Sequence, residues 1–130
     1  MHDLPDRQRL RDTWLERLET GYYEQGHVDL ACRDHGGTWC FCALGAACEV
    51  FLDLGGFLLV EEEGDARIYN NERYFLPEIV RQAFGFRSYK GDRDPEGTHG
   101  SIVSLNDDVA LSLPEIAALV RDNPAAYFVG

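Results

Sequence analysis

Basic charge is scarce in this sequence, and long hydrophobic runs are missing. Lys and Arg total 12 against 23 Asp and Glu, giving a formal net charge of -11 at pH 7, and Lys90 is the sole lysine. Such a balance repels nucleic acid and anionic membranes, so neither is an expected partner, whereas a basic protein is. The longest apolar stretch, Phe41 to Leu52, is broken by Glu49 and falls far short of the roughly 20 residues that span a bilayer. Met1 to Leu10 is charged and lacks an apolar core followed by small residues, so no secretory signal is expected and a cytoplasmic setting is. No Gly-rich phosphate loop follows a strand pattern, and neither G-x-S-x-G nor H-E-x-x-H occurs. Glu61-Glu62-Glu63 and the Asp92, Asp94, Glu96 group lack the spacing of a calcium loop and read as solvated loops.

What is present suits one folded domain. The 130 residues match a common single-domain size, and 45% hydrophobic with 12% aromatic residues supply a core. With no export signal, the four cysteines are expected as reduced thiols.

Helix boundaries are the clearest local feature. Asp3 and Pro5 open a first helix with Asp6 three residues after the cap; Leu10, Trp14, Leu15 and Leu18 form one apolar stripe, and Gly21 ends it. From Tyr22 to Trp39 periodicity dissolves and a loop is expected, with the Tyr22-Tyr23 pair sealing the helix end. A second helix from about Cys42 to Leu54, stopped by Gly55-Gly56, has only Glu49 and Asp53 charged and is expected at the centre. Short strands are predicted over Phe57 to Val60, Ala66 to Tyr69 and Arg73 to Phe75. Pro77 opens a third helix that Gly85 closes. A loop over Arg87 to Gly100 then leads to a strand over Ile102 to Leu105. Ser112 and Glu115 make a capping box for the last helix, with Leu111 and Ile116 as its staple, and Asn123-Pro124 stops it.

Two sets of residues carry possible chemistry. Cys42 stands at a predicted helix start, where free amides and the helix dipole favour a thiolate. His99 as base and Asn106 as orienter follow in the order of a papain-like hydrolase. The competing reading is a small buried thiol, since cysteine is among the most buried residue types. Cys32, His35, Cys40 and Cys42 read as C-x2-H-x4-C-x-C, four soft ligands for a structural zinc, though the spacing matches no common finger. The two proposals compete for Cys42, and the favoured expectation is no catalytic set, no cofactor and no metal. Asn106-Asp107-Asp108 reads as a turn.

Trp14 and Leu18, Gly21-Tyr22-Tyr23-Glu24-Gln25, Cys42-Ala43-Leu44-Gly45-Ala46, Leu76-Pro77-Glu78, Phe84-Gly85 and Ser104-Leu105-Asn106-Asp107 together form a pattern. It resembles an uncharacterised family of small bacterial and phage proteins with a C-x-L-G motif opening a helix and a later L-N-D motif. The resemblance covers most of the chain and marks Cys42, Gly45, Asn106 and Asp107 as signature positions; Cys32, His35, Cys40 and His99 fall outside it. It implies a fold and a phage or mobile-element setting, and no activity.

The expectation is therefore a single α+β domain over 1–130. In it a central buried helix is packed by three other helices and a small antiparallel sheet. The expected function is that of a non-enzymatic accessory protein binding another protein through an acidic surface. A cysteine-dependent amidase or peptidase-like hydrolase using Cys42 is the alternative.

Overall fold

The computed structural model describes residues 4–90, 101–107 and 109–129. Helix α1 spans Arg7–Thr20 and buries Leu10, Trp14, Leu15 and Leu18, the four residues of the predicted stripe. Its cap is Asp6, whose carboxylate accepts the Arg9 amide at 2.9 Å; the expected cap, Asp3, lies outside the described residues. Gly21 ends the helix in the left-handed region at φ 73°, its amide bonded to the Arg17 carbonyl.

Helix α2, Ala43–Asp53, is the dry element. Every residue from Ala43 to Cys48 is buried, as are Val50 and Phe51. Its two charges are paired: Glu49 accepts from Tyr69 Oη at 2.6 Å and Arg67 at 3.2 Å, and Asp53 accepts from Arg17 at 2.6 Å. An unpaired carboxylate at Glu49 would carry a desolvation cost that these donors offset. Trp14 ties α1 to α2 by donating its Nε1–H to the Ala43 carbonyl at 2.8 Å, while its ring stands edge-on to Phe84, Phe86 and Phe128. Helix α3 (Glu78–Phe84) and helix α5 (Leu113–Asp122) complete the packing around α1. The Ser112–Glu115 capping box forms as predicted.

Five strands make one sheet in the order β1-β3-β2-β5-β4: β1 Glu24–Gln25, β2 Ala31–Arg33, β3 Trp39–Phe41, β4 Val60–Glu63 and β5 Ala66–Tyr69. The first two lie inside the stretch expected as a loop, and β3 begins at its last residue. Strands of two or three residues are too short to show an alternating pattern, and it is tertiary pairing that creates them. The sheet is mixed, β1 running parallel to β3 and the other pairs antiparallel. The strand expected at Phe57 to Val60 begins only at Val60 and takes in all three glutamates, because their side chains are exposed at a sheet edge. Arg73 to Phe75 is not a strand; Arg73 instead offers its carbonyl to the Leu30 amide at 2.8 Å.

The strand expected at Ile102 to Leu105 is a helical turn, α4 (Ile102–Asp107). Ile102 and Val103 are β-branched and favour strand, but that preference depends on context, and burying Ile102 beside α2 overrides it. Beyond Asn123 the chain makes one more turn, α6 (Pro124–Tyr127), in place of a simple stop. Tyr23 packs on Phe41 at 5.1 Å, but Tyr22 is exposed under the Arg17 guanidinium, so only one of the pair seals the helix end.

Candidate functional site

Cys42, Gly45 and Asn106 meet at the first turn of α2, and Asp107 stands beside them. Cys42 is the N-cap: its Sγ accepts the Gly45 amide at 3.3 Å, and only 5% of the residue is exposed. Burial pushes the thiol up to about 12; the Gly45 and Leu44 amides pull down, and Asp107 and Asp29 push further up. Burial thus favours the protonated thiol, and in the structure the sulfur packs and caps the start of α2.

Asn106 lies on α4 with 1% exposure, and its carboxamide reaches across to the same turn. Oδ1 accepts from Gln25 Nε2 at 3.0 Å and from the Ala43 amide at 3.3 Å. Nδ2 donates to the Gly26 carbonyl at 2.9 Å and to Asp107 Oδ1 at 2.8 Å. Two donors and two acceptors are the full capacity of the group, and the network admits only this orientation of the amide. Nδ2 also stands 3.4 Å from His27 Nδ1, so the carboxamide touches an imidazole as well. The α2 amides are likewise committed: Ala43 to Asn106, Gly45 to the Cys42 sulfur and Ala46 to the Cys42 carbonyl.

Asp107 extends the knot by accepting the amide of Val28, a residue held at φ 70°. Gly45 closes it sterically. A Cβ there would stand 1.7 Å from the Leu30 carbonyl oxygen, which also accepts the Cys42 amide at 3.2 Å. Only glycine lets the first turn of α2 lie directly on the backbone at the start of β2.

His99 lies outside the described residues, as do Asp92, Asp94, Glu96 and Asp108. Within the proposed zinc set the hairpin separates the ligands. Cys32 and Cys40 face one another across β2 and β3. His35 sits in the turn, lining a hollow with Arg33, Asp34, Gly37 and Asp65. Cys42 caps α2 at the other end of the hairpin, where Leu30 is its partner. The Asp34–Thr38 and Leu30–Cys42 rungs are four residues apart, about 13 Å at strand rise. Among the described residues no three His, Cys, Asp or Glu side chains come together as a metal-holding group.

One neighbour escaped the sequence reading. His27 is half exposed and places Nδ1 2.9 Å from the Asn106 carbonyl and 3.7 Å from Asp107 Oδ1. The carbonyl favours the tautomer with the proton on Nδ1. Its only sequence signal was adjacency to Gln25-Gly26, the loop that Asn106 holds. No known protein family matches the chain, and neither does any curated protein or solved structure.

Proposed function

We propose that this protein is a non-enzymatic accessory factor that binds a basic, extended segment of another protein along the edge strand β4. One observation carries the reading: β4 combines a backbone edge that no strand among the described residues covers with a row of glutamates. It is the last strand of the sheet, and all four residues from Val60 to Glu63 are exposed. The Asn70 amide bonds to the Leu59 carbonyl, so in this antiparallel ladder the alternate residues Val60 and Glu62 point their N–H and C=O groups away from β5. Phe57, 73% exposed, and Leu59 lie just upstream of the three glutamates and supply apolar contact. An added strand gains main-chain hydrogen bonds from such an edge, while carboxylates select a Lys- or Arg-rich partner. The committed amides around Cys42 support the non-enzymatic half of the reading. The likeness to a phage-associated family is compatible with an accessory role.

Calorimetric titration with a synthetic peptide alternating arginine and valine tests it, at low and high salt. Binding that weakens with salt, and that Glu62→Pro abolishes, is expected. The proline removes an outward N–H and leaves the β5 ladder intact. No binding at any salt concentration, or binding unchanged in Glu62→Pro, overturns the proposal.

A further inference from the structure

The function proposed above uses none of the four cysteines, yet two of them form a pair. Cys32 on β2 and Cys40 on β3 are direct register partners, and both are half-buried where Cys42 and Cys48 are buried. The Asp34 amide bonds to the Thr38 carbonyl and the Cys42 amide to the Leu30 carbonyl, so every second rung is a hydrogen-bonded pair and Cys32–Cys40 is one of them. Such pairs set Cα atoms about 5.5 Å apart with side chains on one face, inside the span that a disulfide bridges. The hairpin is built to stay in this register. Asp34 Oδ1 holds the Gly36 and Thr38 amides at 2.9 and 3.0 Å and fixes the turn. Gly26 packs β1 against Cys40 so closely that a Cβ there would stand 3.2 Å from it.

We propose that Cys32 and Cys40 are a reversible dithiol–disulfide pair, oxidised by low-molecular-weight disulfides of the glutathione type. One thiolate attacks a sulfur of the oxidant, forming a mixed disulfide and releasing one thiol. The facing thiolate attacks the protein sulfur of that mixed disulfide, forming the Cys32–Cys40 bond and expelling the second thiol. Two electrons pass to the oxidant, and the two protons lost by the cysteines end on the released thiols. In the reduced protein Cys40 Sγ lies 3.7 Å from the Thr38 carbonyl, so closure needs a turn about its χ1 and, because facing Cβ atoms of a hydrogen-bonded pair stand about 5.5 Å apart, a small approach of the two strands. Both thiols sit above their ordinary value, first through burial, then through Asp29, Asp34 and Asp65 around Cys32 and Asp34, the Cys32 sulfur and Glu24 around Cys40. Attack is therefore slow at neutral pH, and the disulfide once formed has no stabilised thiolate competing with it.

Incubating the native full chain with oxidised glutathione at mildly alkaline pH, then quenching in acid and mapping peptides by mass, tests the pair. Expected is loss of two of the four titratable thiols, a single cross-link between the Cys32 and Cys40 peptides, and full recovery with dithiothreitol. In Cys32→Ser, Cys40 should instead retain a glutathione adduct. Persistent separate adducts on Cys32 and Cys40 of the wild-type chain, or cross-links that involve Cys42 or Cys48, overturn the assignment.

Discussion

The start of α2 and the β2–β3 hairpin each hold cysteines, and their contrast explains which thiols can react. Cys42 sits on a helix start, the setting that ordinarily activates a thiol. There it is dry, its amide neighbours are spent on capping, and burial outweighs their effect. Cys32 and Cys40 lie on strands with no activating feature, but they are half exposed and held face to face. Local position proposes a reactive sulfur; solvent access and a facing partner decide it.

The sharpest way to break the comparison is at Gly45. Gly45→Ala should cost about 3 kcal/mol, the upper end of overpacking, because the obstacle is the Leu30 carbonyl and not a movable side chain. Urea unfolding measures it, and a loss below about 1 kcal/mol would mean the first turn of α2 can slide off β2. Asn106→Ala should follow at about 2–3 kcal/mol, since the Ala43 amide and the Gly26 carbonyl lose a buried partner. Cys42→Ala should lose about 1 kcal/mol with the cap, while Cys42→Ser keeps a capping acceptor and stays closer to wild type. If serine is the worse of the two, packing of the sulfur matters more than capping.

Alkali sharpens the same contrast. The folded Cys42 thiol lies above its ordinary value of 9.0, at about 12. Its stabilising contribution is thus complete below about pH 9 and is lost as pH rises through about 12. Tyr69 and Cys48 are raised as well, both first by burial, so cooperative unfolding over that range is expected by circular dichroism, with a gentler slope in Cys42→Ser. Iodoacetamide at pH 8 should label Cys32 and Cys40 in the native protein and reach Cys42 only after denaturation. Equal labelling of all four would remove the distinction between the two regions.

Legibility in the sequence followed the same division. The stripe of α1, the near-uniform apolarity of α2 and the Ser112–Glu115 box are local patterns, and each formed where it was read. The strands β1 to β3 carried no such pattern and the turn α4 carried one that read as strand, since Ala31, Trp39 and Ile102 take their conformations from what they pack on. Of the candidate site residues, Cys42 and Asn106 both bond to amides in the first turn of α2. Cys32 and Cys40 meet each other and leave His35 behind in the turn.

By itself the sequence determined the helices α1, α2, α3 and α5, most of their ends and a strongly acidic chain, because capping, periodicity and charge are properties of neighbouring residues. Tertiary structure alone decided that the Asn106 carboxamide is spent inside the protein, that Gly45 meets a carbonyl and that two cysteines face each other. Those outcomes depend on contacts between residues far apart in the chain, which no local pattern records.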